Sequence, residues 1–393
     1  MRTEKMKKNY KALFYSKFSN GALDISGGQT TALKASFQPK RRSHKKRFSK
    51  PSLHKIGGME KEVHKFVTSH ININNQNVVV LRTREKDTIA HLANDLNALV
   101  NLKKVNDIRW VNKFFEEVNT HLGADALYIG TVEVSEQRKA RFYKNLPKGI
   151  AAFVYVLDFL IRRVIPKLNF TKGLYFYITD GRSRVMSKAE VLGRLIACGF
   201  DIVDLKVIGD SLYFAAKKVK DPVYDLKPSY GPLFKMKRVG KNGKIIHVFK
   251  FRTMHPYAEY LQDYIIRTNG YKDIGKPADD FRITTWGKFL RKYWLDELPQ
   301  LINIARGEMK LVGIRPVSTR FLNEFPEDIK AMRLKHKPGC IPAYVSLLKQ
   351  SVDGFIEAES IYLKDKMKHP YTTDLRYFVK AVYNILSNKI RSA

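Results

Sequence analysis

Two adjacent carboxylates, Asp296 and Glu297, stand near the head of the run YWLDELPQLINIARGEMKLVGIRP (293–316). They belong to a chain whose 72 Lys and Arg against 37 Asp and Glu leave a formal net charge of +35. A carboxylate with a reference pKa near about 3.9 is ionised at neutral pH and needs no base to act as a nucleophile. Its obstacle at a phosphorus centre is repulsion from the phosphoryl oxygens. A site of that kind must therefore supply arginine, lysine and a divalent cation. Arg282, Arg291 and Arg315 flank the pair, and Lys250 and Arg252 lie in a basic segment upstream. Local pattern alone also fits a plainer reading. Asp296 would then cap a helix with Glu297 and Pro299 in its first turn, and Leu298, Leu301, Ile302 and Ala305 would form the buried stripe. Gln300 and Asn303 fit substrate contact or local hydrogen bonding equally.

The elements that would carry these residues are an α/β set. In FKMKRVGKNGKIIHVFKFRTM (234–254), two strand-like runs flank Asn242-Gly243, the preferred centre of a type I′ hairpin turn. Between about 59 and 220, NVVVLRT (77–83), ALYIGTVEV (126–134), GLYFYIT (173–179) and SLYFAAKK (211–218) read as strands. They alternate with amphipathic helical runs, one opened by the capping-box pair Ser187 and Glu190. The segment 221–230 reads as a Pro- and Tyr-bearing linker, and 231–393 as the last domain. Residues 1–55 hold 15 Lys or Arg and only 2 acids, so 1–58 reads as a mostly disordered basic arm with too little apolar material to fold.

Such a charge favours polyanions: nucleic acid, anionic lipid or phosphorylated substrates. The two cysteines, Cys198 and Cys340, give neither a disulfide framework nor metal-ligand spacing, and read as core fillers. No secretory signal and no run of about 20 apolar residues is expected. GIAAFVYVLDFLIRRVIPKL (149–168) is too short and too charged to cross a bilayer and suits either a core helix or an interfacial one. DLRYFVKAVYNILSNKIR (374–391) fits an interfacial basic helix or packing against the last domain.

GPLFKMKRVGKNGKIIHVFKFRTM, then DDFRITTWGKFLRKYWLDELPQLINIARGEMKLVGIRP and KHKPG, resembles the bacterial sugar transferases, the monotopic polyprenyl-phosphate phosphoglycosyl transferases. The resemblance spans about 231–342. It implies an Asp-Glu dyad at Asp296 and Glu297, with Mg²⁺ held by both. It also implies phosphate contacts from Arg282, Arg291 and Arg315 and, less directly, Lys250 and Arg252. The implied reaction moves a phosphosugar from a nucleotide diphosphate sugar, a UDP-sugar by preference, to polyprenyl (undecaprenyl) phosphate through an aspartyl-phosphosugar. Its place would be the cytoplasmic face of a bacterial inner membrane, reached peripherally or monotopically, on an anionic membrane surface. Gly313 would turn Arg315 back towards the dyad. The re-entrant helix that family members carry before the GP-x-F segment has no counterpart at that place here, and the family's Gly-Pro-Arg-Pro is Gly-Ile-Arg-Pro.

The order of elements in 59–220 resembles, more weakly, the C-terminal half of a class I methyltransferase fold without its glycine-rich cofactor turn. The expected architecture is thus a partial Rossmann, methyltransferase-like module followed by an α+β phosphoglycosyl transferase catalytic domain. Two other readings stand beside it. A nucleic-acid-binding protein would expose stacking aromatics on the hairpin, and an inactive scaffold would keep the fold alone.

Overall fold

The computed structural model describes residues 59–390 and 392, apart from 169, 225–229, 271–278 and 324. The basic arm and half of the linker segment fall outside the described residues. In chain order the first part holds α1 (Lys61–Thr68), β1 (Val78–Leu81), β2 (Leu96–Lys104), α2 (Val111–His121), β3 (Leu122–Val132), α3 (Ser135–Asn145), α4 (Lys148–Phe159), α5 (Lys172–Thr179), α6 (Lys188–Ala197), β4 (Phe200–Ile208) and β5 (Ser211–Lys218). The strands make one sheet in the order β1-β2-β3-β5-β4. β1, β2 and β3 are parallel, whereas β5 runs antiparallel to both of its neighbours.

One strand expectation fails, and β2 went unread. GLYFYIT is the helix α5, ended by Asp180 in the left-handed region at φ 54°. The β-preference of its aromatic residues needs a partner strand to be realised. β3 is already flanked by β2 on one side and β5 on the other. β2, unrecognised in LNALVNLKK, fills that inner place and is buried along Ala98 to Asn101. Leu99, Tyr128 and Phe214 lie in the core around the sheet. The ring of Phe214 sits where Gly130 leaves room: a Cβ there would come within 2.5 Å of it. Ser187 caps α6 as its type suggests, accepting from the Glu190 amide at 3.2 Å. Glu190 does not complete the box, because its carboxylate is engaged by Arg163 and Arg194.

The second part begins with the hairpin of β6 (Leu233–Val239) and β7 (Ile245–Phe251), paired from Leu233↔Phe251 to Val239↔Ile245. Asn242 and Gly243 at its tip have φ of 56° and 75°, the positive pair that a type I′ turn requires. Then follow α7 (Gln262–Asn269), α8 (Thr285–Lys292), a 3-10 turn (Leu295–Gln300) that runs into α9 (Leu301–Ala305), β8 (Lys310–Gly313), α10 (Glu327–Leu334), β9 (Gly339–Pro342), α11 (Ala343–Leu347), α12 (Val352–Lys368) and α13 (Thr373–Leu386). β8 and β9 form a short parallel ladder. Gly313 serves that ladder and not a turn, since a Cβ on it would lie 2.8 Å from the Gly339 amide nitrogen. The two parts meet closely: a Cβ at Gly193 of α6 would lie 2.3 Å from the Tyr257 carbonyl oxygen.

Candidate active site

Asp296 does not cap a helix. The residue before the 3-10 turn is Trp294, held left-handed at φ 59°, and no side chain there accepts from the turn's amides. The Asp296 carboxylate is instead 1% exposed. Its Oδ2 accepts from Ser392 Oγ at 2.6 Å and faces Lys250 Nζ at 3.3 Å. The same ammonium reaches Glu297 Oε1 at 2.7 Å. One cation on β7 thus bridges both members of the pair. Burial pushes the Glu297 carboxyl above its ordinary value, and Lys250 opposes that push.

The bridge exists because α9 is stitched to β7 by a buried amide. Asn303 accepts from the Phe249 amide at 3.1 Å and donates to the His247 carbonyl at 2.8 Å and to Glu308 at 2.6 Å. Its polar side therefore faces inward, and Gln300 is buried with it. The expected apolar stripe points the other way, with Leu298, Leu301 and Ile302 exposed. This reverses the stripe reading: amides that close a β-strand's backbone are worth more inside than leucines of the same helix are.

Cations gather around the pair from several elements. Arg291, in the last turn of α8, donates from Nε to Thr253 Oγ1 at 2.9 Å. Burial lowers its guanidinium below the ordinary value, and Asp296 opposes the drop. α8 lies close on Thr253 because Gly287 has no Cβ, which would sit 2.0 Å from the Thr253 carbonyl oxygen. Arg315 stacks over Tyr344 and Phe355 at 5.2 and 4.8 Å. Its amide donates to Glu359 at 2.9 Å, and its carbonyl accepts from Arg333 at 2.8 Å. Arg315 is close enough to favour the charged form of Glu297. Arg238 of β6 also feels Glu297 and Arg315.

Two expected phosphate contacts stand elsewhere. Arg282 is buried and committed to Asp280, at 2.7 and 2.8 Å, and to Gln262 at 2.5 Å. Arg252 donates to the Gly231 carbonyl at 3.0 Å and lies over Phe234. A carboxylate two residues away, as in Asp280-Phe281-Arg282, is a visible competitor for an arginine. Arg238, Ser392 and the Arg333–Glu359 pair were missed, because nothing local marks a residue that arrives through tertiary folding. Cys198 and Cys340 are both buried free thiols. Burial and then the Glu297 charge push Cys340 up to about 12, so no thiolate stands beside the pair.

Residues 223–388 match the profile of the bacterial sugar transferase family. The C-terminal region is similar to that family. The chain is 32% identical over 224 residues to undecaprenyl-phosphate galactose phosphotransferase of Salmonella typhimurium, covering 55% of this chain and 46% of that protein. It is 40% identical over 119 residues to galactosyl transferase CpsE of Streptococcus agalactiae, covering 30% and 26%. It is also 38% identical over 110 residues to the UDP-glucose:undecaprenyl-phosphate glucose-1-phosphate transferase of Klebsiella pneumoniae, covering 28% and 22%. The chain therefore spans less than half the length of each of these relatives. A solved O-methyltransferase family protein from Burkholderia thailandensis aligns with 35% of this chain and 33% of its own, at TM-score 0.21 and 8% identity. That likeness is too slight to bear on the fold.

Within residues 223–388, the dyad neighbourhood contains three buried polar atoms without a side-chain or backbone partner: Asp296 Oδ1, Gln300 Oε1 and Trp294 Nε1. Buried polar atoms are seldom left so. Among the described residues no three or more His, Cys, Asp or Glu cluster as metal ligands. A magnesium ion at Asp296 and Glu297 would draw its remaining oxygens from phosphate and water, which is how that ion is ordinarily held. Asp296 Oδ1 fits such a ligand. The hairpin aromatics Phe234, Phe249 and Phe251 are buried or half-buried, so the hairpin offers no stacking platform for bases.

Proposed function

We propose that this protein is a phosphoglycosyl transferase that moves a sugar phosphate from a nucleotide diphosphate sugar, a UDP-sugar in the first instance, to polyprenyl phosphate. The observation that carries the reading is the single ammonium of Lys250 bridging Asp296 and Glu297, with Arg291 and Arg315 around them. The names of the relatives supply the donor and acceptor classes. Asp296 is the nucleophile. Its carboxylate oxygen forms a bond to the β-phosphorus while the bond from that phosphorus to the α–β bridging oxygen breaks and UMP departs. Polyprenyl phosphate then attacks the same phosphorus, the bond to Asp296 breaks, and the carboxylate is restored. Lys250, Arg291 and Arg315 offset the phosphoryl charge that would otherwise repel Asp296. Glu297 orients Lys250 and, with Asp296, would hold a magnesium ion. That ion, when bound, neutralises phosphoryl oxygens.

Asp296 is covered in this conformation, so the donor reaches it only when the Ser392 hydroxyl withdraws from Oδ2. The reaction belongs at the cytoplasmic face of a bacterial inner membrane, where a polyprenyl acceptor resides. The test is UMP release from a panel of UDP-sugars with undecaprenyl phosphate and magnesium. Wild type should release UMP and hold radiolabelled sugar phosphate on Asp296 when acceptor is withheld. Undiminished release by Asp296→Asn would end the proposal.

A further inference from the structure

The helices α4 and α5 present apolar faces that nothing in the described chain covers. On α4 and the π-helical segment that continues it (Leu160–Val164), Phe153, Leu157 and Leu160 recur at helical spacing and are exposed, Phe153 by 71%. On α5, Leu174, Tyr177 and Ile178 do the same, Tyr177 by 88%. Apolar patches beyond about 300–600 Å² on a monomer mark interaction surfaces. Six large apolar side chains exposed by 47% to 88% on two neighbouring segments of the chain are such a feature.

The orientation is fixed from the opposite face. Arg138 grips Asp158 with two hydrogen bonds of 2.7 and 2.8 Å. Arg163 donates to Glu190 and, at 2.9 Å, to the Val185 carbonyl. Asp158 and Arg163 are thereby turned inward, with the half-exposed Arg162 reaching back to Asp158 at 3.0 Å, and the apolar stripe cannot roll into the core without stranding them. Polar groups in and leucines out is the reverse of what a water-facing helix shows.

We infer that α4 and α5 form a membrane-docking surface that seats the protein on an anionic bilayer without spanning it. No helix among the described residues is long and apolar enough to cross a membrane. The flanking residues have the sign that acidic headgroups attract: Lys148 and Lys172 open α4 and α5 and are exposed, Lys113 lies by Trp110, and Arg182 is exposed beside Asp180. Trp110 is exposed beside α5, with Arg109 lying over both its ring and that of Phe176. Tryptophan and cationic side chains at the edge of an apolar face are the make-up of an interfacial element. The surface is tied to the catalytic region. Arg163 Nη2 lies 3.4 Å from His255 Nδ1, and Thr253, two residues earlier, receives Arg291. Docking through α4 and α5 would therefore set the dyad at a defined place relative to the lipid that carries the acceptor.

The purpose assigned here rests on the proposed transferase reading, but the docking is measured without substrate, so either can fail alone. The full chain is mixed with vesicles of phosphatidylcholine, with and without phosphatidylglycerol, and sedimented. Wild type should partition to the acidic vesicles and release in high salt. The double variant Phe153→Ser, Tyr177→Ser should bind at least tenfold more weakly with an unchanged melting curve, because both side chains are exposed. Its UMP release with detergent-dispersed acceptor should match wild type. In a Trp286→Phe background, brominated lipid should quench the exposed Trp110 and not Trp294, which is buried. Equal vesicle binding by the double variant, binding lost only on removal of residues 1–58, or a wild-type dimer that the double variant dissociates would each overturn the inference.

Discussion

The five-stranded sheet and the dyad turn bury different proportions of apolar and polar residues, although the sheet too buries Asn101 and Thr131. Around the sheet the interior is Leu99, Tyr128, Phe200 and Phe214, rings and branched chains whose removal from water stabilises the fold. Around the dyad the interior holds Asp296, Gln300, Asn303, Arg333 and Glu359, while leucines of the same stretch face out. Burying charge is costly unless each group is paired. The dyad region meets that condition only in part, since Asp296 Oδ1 has no partner. The difference teaches where the molecule is built for persistence and where it is built for chemistry.

The widest separation should come from one variant in each region. Asp296→Asn should lower UMP release by at least about a thousandfold and leave the thermal midpoint near wild type. Phe214→Ala, which vacates a fully buried site packed edge-on to Tyr128, should cost about 3–5 kcal/mol of stability. Denaturant titration and the UMP assay on both proteins would check this. If Asp296→Asn unfolds the chain as Phe214→Ala does, the two regions are not different in kind.

Lys250→Met should reduce turnover by about 10²–10³-fold, because the bridge between the two carboxylates is lost. Lys250→Arg should recover part of that loss. A methionine variant with unchanged turnover would remove Lys250 from the site.

Between the two regions lies His255, next to Arg163. Burial, followed by repulsion from Arg163, lowers it from 6.5 to about 4. It is thus neutral in the folded chain at pH values where the unfolded chain protonates it. Its contribution is full above pH 6.5, fades as pH falls towards 4, and is flat below. The loss over that window is of order 3 kcal/mol at most. Urea midpoints measured across it should fall more steeply for wild type than for His255→Gln.

The smallest effect is expected at Ser392. Removing its hydroxyl from Asp296 Oδ2 should raise the rate of covalent intermediate formation roughly threefold to tenfold, the range of one ordinary net hydrogen bond. A rate in Ser392→Ala below wild type would make that contact a positioning one.

Much of the second region was legible locally. Asn242-Gly243 fixes a turn because few other pairs tolerate two positive φ values. The neighbouring acids and their basic surroundings were visible as a chemical type. Other readings failed for reasons beyond the local chain. GLYFYIT has strand composition, but its strand place was taken. LINIA has a helical stripe, but Asn303 found a backbone to close and turned that stripe outward. Arg282 looked available, but Asp280 held it.

By itself the sequence determined the turn of the hairpin, the acid pair, the resemblance of the C-terminal region to the sugar transferases and the excess of positive charge. These follow from steric limits on single residues and from side-chain identity, which do not depend on distant parts of the chain. Tertiary structure alone decided that Lys250 reaches across 46 positions and Ser392 across 96 to the same carboxylate. It also decided that α4 faces outward. Electrostatic attraction and desolvation depend on separation in space, and that separation is set only when the whole chain has closed.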